Sequence, residues 1–139
     1  MNRRSAEPKL AEALRERGPL ATLDPVAAAK LVALGSLVEL APGEMLIREG
    51  DAPGAEVYLL VEGVLVVQST NGTLARLSRP GDVIGEVAVL LSAKRTASVV
   101  ADGAVKVLAI PTPVLKMPEF SAVAAGISSA MLRDDWIQY

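Results

Sequence analysis

The 139-residue chain contains neither cysteine nor histidine. Without cysteine there is no disulfide and no thiol chemistry, and with histidine also missing a transition metal finds almost none of its ordinary protein ligands. The absent imidazole removes the usual general base beside a serine or threonine, and there is no G-x-x-x-x-G-K-[ST] loop to cradle phosphates. Asp134 and Asp135 form a carboxylate pair, but neighbours on a helix point in different directions, as solvating surface residues do. No enzymatic role is expected. An excess of basic charge is lacking too: 14 Lys and Arg stand against 16 Asp and Glu, for a net charge of −2 and a pI near 5.2. Such a balance offers nucleic acid no general basic field. No apolar run approaches the ~18 residues needed to span a bilayer. Met1 to Arg4 leads into a charged segment, not into a secretory apolar core. The expectation is a cytoplasmic chain with no membrane span, nucleic acid, metal or cofactor. By length it is one domain, and 51% hydrophobic residues with a mean hydropathy of +0.38 suffice for a core.

What the chain does contain is helical at its ends and strand-like between them. Residues 6–17 are charged and Ala/Leu-rich. Asp24 is placed to cap a second helix over 26–34, with Pro25 in its first turn and Gly35 ending it. Short β-branched segments then follow at 37–40, 45–48, 56–62, 64–69, 74–78, 97–100 and 105–110, separated by Gly, Pro, Asp and Asn. That density predicts an all-β roll or barrel. Asn71-Gly72 is a hairpin signal, because both residues tolerate positive φ. Glycines 43, 50, 54, 63 and 81 read as turn residues. Pro111, Pro113 and Pro118 break the sheet, and the chain is predicted helical from Phe120 to its end. At ~100° per residue, Phe120, Val123, Ile127, Ala130 and Met131 share one stripe, which suits docking on the roll. Ser121, Ala125, Ser128, Leu132, Trp136 and Tyr139 share the opposite one, small at its start and bulky at its end. It suits a lid over a bound base or a contact with another chain.

One segment carries the chemistry. Gly81 and Asp82 form a turn, Val83 and Ile84 are strand-like, and Gly85, lacking Cβ, lets backbone approach a ligand closely. Residues 86–91 suit a short helix, whose unpaired N–H groups and local dipole attract an anion. Arg95 can return to the same point with a full positive charge, and its guanidinium fork suits phosphate oxygens. Glu86 would repel phosphate but accepts hydrogen bonds from a sugar hydroxyl. The ligand these residues imply carries both phosphate and ribose.

The whole stretch over 84–101, I-G-E-V-A-V-L-L-S-A-K-R-T-A-S-V-V-A, closely resembles the phosphate-binding cassette of the cyclic-nucleotide-binding domain family. The usual pattern there is F-G-E-L-A-L-x-x-x-x-P-R-A-A-T-V. The resemblance continues upstream through P-G-E-M-L-I-R-E-G-D at 42–51 and Y-L-L-V-E-G-V-L-V-V at 58–67, and covers most of the chain from residue 20 onwards. Gly85, Glu86, Ala88, Arg95 and Ala97 match together at the family spacing, whereas Ile84, Val87 and Lys94 replace the common Phe, Leu and Pro. The resemblance implies a mainly β fold with flanking helices: an antiparallel, jelly-roll-like β-roll with N-terminal helices, a short cassette helix and a C-terminal lid helix. The corresponding segments are 1–36 (helical), 37–111 (roll, with the cassette at 84–98) and 112–139 (lid). It also implies that Arg95 and the backbone of Ala88 hold the cyclic phosphate and Glu86 the ribose 2′-hydroxyl, with Gly85 and Val87 shaping the floor. Arg133 and Trp136 are the lid residues that could contact the base; an ordinary packing Trp and a solvated Arg fit them equally. Thr96 permits a bond to the guanine amino group, yet R-T-A-S-V at 95–99 also resembles the hyperpolarisation-activated channels, which prefer cAMP. The segment from Arg95 to Ser98 further fits a basophilic kinase site, but its place inside the cassette argues against modification.

The expectation is therefore a non-enzymatic sensor whose ligand is cAMP, favoured over cGMP. Its C-terminal helix would signal to an unidentified protein effector, and a homodimer is compatible with the second stripe. Lacking a winged helix, kinase, pore or cyclase segment, the chain reads as a stand-alone receptor or an excised sensor. The competing expectation is a degenerate roll that binds no ligand, pairs Glu86 with Arg95 and acts as a protein-interaction module. A roll adapted to another small anion is argued against by Glu86, which suits a ribose hydroxyl.

Overall fold

A computed structural model of the chain describes residues 2–52, 54–84 and 97–130. Among them the helical elements are α1 (Leu10–Leu14), α2 (Pro25–Leu34), α3 (Thr112–Leu115) and α4 (Ser121–Ala130), with 3₁₀ turns at Pro19–Thr22 and Pro118–Phe120. The strands are β1 (Asn2–Ser5), β2 (Ser36–Leu40), β3 (Met45–Ile47), β4 (Glu56–Ser69), β5 (Gly72–Leu77), β6 (Val83–Ile84) and β7 (Ser98–Pro111). They join in one antiparallel sheet of order β1-β2-β7-β4-β5, with β3 also on β7 and β6 also on β4.

Two strands differ from the sequence expectation. Residues 56–62 and 64–69 form one continuous β4, and the stretches at 97–100 and 105–110 join into one β7, each 14 residues long. Gly63 does adopt the positive φ of a turn residue, at 96°, but Gly103 opposite does the same at 95°. The ladder shifts register on both sides of Glu62 and then resumes as Val64↔Asp102, so paired irregularities bend the two strands together without ending either. A Cβ on Gly63 would lie 2.5 Å from the carbonyl oxygen of Ala104, so the close approach requires glycine.

Side-chain alternation along these strands divides the interior in two. Val57, Leu59, Leu108, Ile110, Leu37 and Val83 face the helices, where they bury Leu14, Leu20, Leu31, Val32, Phe120 and Val123. The intervening Leu60, Val107, Ala109, Val38 and Ile84 face the inside of the roll with Leu40, Leu65, Val67, Ala97 and Val99. One half of the sheet is thus covered on both faces, which explains apolar runs such as Val105 to Ile110 in which the alternation is hard to see.

The helices follow local signals where these are strong. Asp24 Oδ1 accepts from the Ala27 N–H at 2.8 Å, Pro25 opens α2, and Gly35 is its C-cap. By contrast, the helix expected over 6–17 is reduced to α1, because residues 7–9 form a turn around Pro8 and the chain bends again before Gly18 and Pro19. The strand at Asn2–Ser5, in a segment expected to be helical, follows from its partner: it pairs with β2 in the register Asn2↔Glu39 to Ser5↔Ser36. All four of its side chains are exposed. Arg3 donates two bonds to Glu56, at 2.7 and 2.9 Å, and Arg4 pairs with Glu39 at 2.8 Å. Hydrogen bonding to Glu56 holds the Arg3 guanidinium above its already high pKa, against the effect of its partial burial. Ordering four residues costs ~1–2 kcal/mol each in backbone freedom, and exposed ion pairs return only about 0–1 kcal/mol each. Pairing with β2 must therefore supply most of the hold on β1.

At the other end, Thr112 donates through its N–H and its Oγ1 to the Ala55 carbonyl, at 2.8 and 2.9 Å, closing β7 onto the start of β4. Phe120 and Val123 are buried and Ser121 and Ala125 exposed, as the two stripes require. Met131, Leu132, Trp136 and Tyr139 of those stripes lie outside the described residues. Phe120 is fully buried among helices and sheet, so Phe120→Ala is expected to lower unfolding stability by about 3–5 kcal/mol, read as a reduced urea midpoint at unchanged m.

Candidate functional site

The described residues end at Ile84 and resume at Ala97, and both flanks are firmly built. On the upstream side the Gly81 N–H donates to the Leu60 carbonyl at 2.8 Å, and the Leu60 N–H donates to the Asp82 carbonyl at 2.9 Å. These bonds set β6 against β4 with Val83 opposite Leu59 and Ile84 opposite Tyr58. Val83 points to the helical core and Ile84, fully buried, to the roll interior.

The turn before β6 is also locked to the N-terminal segment. Arg17 Nη1 donates to Asp82 Oδ1 at 2.7 Å and to the Pro80 carbonyl at 3.2 Å. Gly18 and Gly81, at φ 89° and 94°, lie back to back. A Cβ on Gly18 would come within 2.4 Å of the Gly81 carbonyl oxygen, and one on Gly81 within 2.5 Å of that of Arg17. Two glycines therefore permit a backbone contact that no other residue pair would allow.

On the downstream side Ala97 is fully buried in the same roll cluster as Ile84. Ser98 Oγ accepts from the Glu49 N–H at 2.8 Å, tying the start of β7 to the loop after β3. That hydroxyl, read in sequence as part of a kinase site, is half-buried and engaged with backbone. The strand continues with Ser98↔Gln68 and Val99↔Val67. The residues that flank 85–96, Ile84 and Ala97, are thus both anchored at the inner face of the roll.

Of the residues singled out from the sequence, Ala97 is described, as a core residue. Gly85, Glu86, Val87, Ala88, Arg95 and Thr96 lie outside the described residues, as do Arg133 and Trp136. Sequence reasoning missed Arg17, Gly18, Glu49 and the side-chain role of Asp82. Asp82 reads locally as a turn residue, and its partner lies 65 positions away, beyond any local signal. Among the described residues, no group of three His, Cys, Asp or Glu could hold a metal ion. None of the described helices is long and apolar enough to cross a membrane. A concavity of about 540 Å³ lies elsewhere, between α2 and the second 3₁₀ turn, lined by Asp24, Pro25, Val26, Ala27, Lys30 and Glu119. Its one cation, Lys30, is already paired with Glu119.

Glycine at 81 is required by both φ and contact, whereas Gly43, at φ 82°, has open space where a Cβ would stand. Gly43→Ala is expected to cost about 1–2 kcal/mol from backbone conformation alone. Gly81→Ala should cost clearly more, because the carbonyl of Arg17 must also move. Equilibrium denaturation of the two variants side by side checks the difference.

Three comparisons bear on this geometry. Over 95 residues the chain is 39% identical to a cAMP-dependent protein kinase regulatory subunit from Hypocrea atroviridis, covering 68% of this chain and 20% of that protein. The chain spans a quarter or less of the length of the curated relatives it matches. Its fold superposes on the N-terminal domain of a transcriptional regulator from Streptomyces coelicolor with a TM-score of 0.69 at 30% identity, covering 88% of this chain and 97% of that one. It superposes on the regulatory domain of Toxoplasma gondii PKA, solved with cAMP, with a TM-score of 0.76 at 21% identity, covering 92% and 51%. The family model described as cyclic nucleotide-binding domain matches residues 37–117, from β2 through α3 and across the segment between the two buried anchors. The chain belongs to the cyclic nucleotide-binding domain family.

Proposed function

We propose that the chain is a non-enzymatic, cytoplasmic sensor that binds a cyclic nucleotide, cAMP in preference to cGMP, in the segment 85–97. The observation that carries this reading is the pair of buried anchors: Ile84 and Ala97 hold both ends of the cassette sequence at the inner face of the roll. In this proposal Arg95 and the backbone of Ala88 hold the cyclic phosphate, and Glu86 accepts from the ribose 2′-hydroxyl. Gly85 and Val87 shape the floor, and Thr96 lies beside the base. A cyclic phosphodiester carries a single negative charge, and one guanidinium with backbone N–H donors matches it in charge and in hydrogen bonding. The carboxylate then discriminates a ribose from a deoxyribose, since a buried acceptor left without its hydroxyl partner is costly.

Signal transmission is proposed to run through the C-terminal helix to a protein effector, with Arg133 and Trp136 as lid contacts. The segments 1–36, 37–111 and 112–139 act respectively as helical support, ligand roll and lid. Nucleotide shifts the helix only to the extent that its affinity differs between the two helix positions. The relative that is a kinase regulatory subunit supports a regulatory role.

Calorimetric titration of purified protein, stripped of nucleotide by unfolding and refolding, is expected to give saturable one-site heat with cAMP and weaker binding of cGMP. Arg95→Ala should lower affinity by about 1.5–3 kcal/mol or more through loss of a charge-assisted bond. Silence with both nucleotides from folded protein would instead favour a ligand-free interaction module.

A further inference from the structure

We propose that strand β1 exchanges between two copies of the chain, so that Asn2–Ser5 of one protomer pairs with β2 of its partner and the two form a dimer. The strand lies at the end of the sheet and contributes no buried side chain; among the described residues of this N-terminal arm the first core contact is the methyl group of Ala6. Among the described residues its hold is backbone pairing along β2 together with the ion pairs of Arg3 with Glu56 and Arg4 with Glu39. A segment held in this way belongs to the part of a protein that opens most readily.

The surface that β1 leaves is specific. Its departure exposes the N–H and C=O groups of the β2 edge, a ready template for another strand. Two carboxylates, Glu39 of β2 and Glu56 of β4, stand where they would receive two consecutive arginines. A second copy supplies the same Asn-Arg-Arg-Ser segment in the same register, so each contact made within one chain can be remade between two. That complementarity of charge and register selects a second copy as the occupant.

The connection permits it. Of the residues between β1 and α1, Ala6 is buried and stays with the core, whereas Glu7, Pro8 and Lys9 are exposed, and the ion pair of Lys9 with Glu7 is highly solvated at 82% and 72% side-chain exposure. Glu7 precedes a proline and so favours extended backbone, the conformation a crossing arm needs. Because the contacts made and broken are the same, protein concentration decides between the closed monomer and the exchanged dimer.

The chain has no cysteine of its own, so introduced thiols report without background, and Ser5 and Ser36 are cross-strand partners. Protein carrying Ser5→Cys is mixed with protein carrying Ser36→Cys, equilibrated at rising concentration and oxidised. A disulfide-linked dimer of the two variants, well in excess of the dimer either variant forms alone and growing with concentration, is expected. The double variant, when dilute, should cross-link within one chain. Protein carrying Ser121→Cys, an exposed position outside β1, mixed with the Ser36→Cys protein should give no such excess. The proposal is overturned if the double variant cross-links within one chain while the mixture yields no excess dimer, which would mean β1 does not leave. It is also overturned if neither cross-link forms, or if the Ser121→Cys protein gives an equal excess of mixed dimer, which would mean that the dimer arises from another surface. Circular dichroism of each variant establishes that it is folded.

Discussion

The pairing of β4 with β7 is the interaction on which the rest of the structure depends. The two strands run opposite each other from Glu56↔Pro111 to Gln68↔Ser98, and the other strands attach to this ribbon directly or through one neighbour: β2 and β3 on β7, β5 and β6 on β4, β1 on β2. The ribbon survives its own length because Gly63 and Gly103 bend together. Beyond the bend the strands close over the roll core, and before it they are covered on both faces. The same ribbon supplies Tyr58, Leu59 and Leu60 to receive β6, and β7 starts directly after Ala97. Site and scaffold therefore share their hydrogen bonds.

Side-chain period decides which core each position serves. Adjacent residues Val83 and Ile84 go to different cores, and so do Leu59 and Leu60, and Leu108 and Ala109. A slip of one residue in β6 would send Val83 into the roll and Ile84 toward the helices, and would displace the chain that follows. Gly81 and the Arg17–Asp82 pair hold this register from outside the sheet, through the N-terminal segment. The entrance to the cassette is thus set jointly by a long ribbon and by a contact with residues far earlier in the chain.

The match to the cyclic nucleotide-binding domain family runs from β2 through α3 and so takes in the frame on which the candidate site is built. The described structure contributes the two anchors, the lock on the turn before β6, and the Ser98 to Glu49 tie that fixes the loop after β3.

The sequence by itself determined the features that depend on near neighbours. The cap at Asp24 with Pro25, the stop at Gly35, the strand character of Val83 and Ile84 and the buried stripe begun by Phe120 and Val123 all arise from spacing and local backbone preference, and so does the hairpin expected at Asn71-Gly72, although its turn is Thr70-Asn71 and Gly72 already pairs with Ser69 as the first residue of β5. Membership of the family was legible too, because the motif that carries the resemblance has its glycine, glutamate and arginine within eleven positions of one another. Only the tertiary structure decided what distant partners impose. It made a strand of the charged Asn2–Ser5, joined segments into β4 and β7 across glycines that locally signal turns, shortened the first helix, and brought Arg17 and Gly18 onto the turn at Gly81 and Asp82. The physical reason is the same in each case: a backbone edge, a paired bulge or a salt bridge exists only once the second chain segment has arrived, and nothing in the first segment encodes its partner's position.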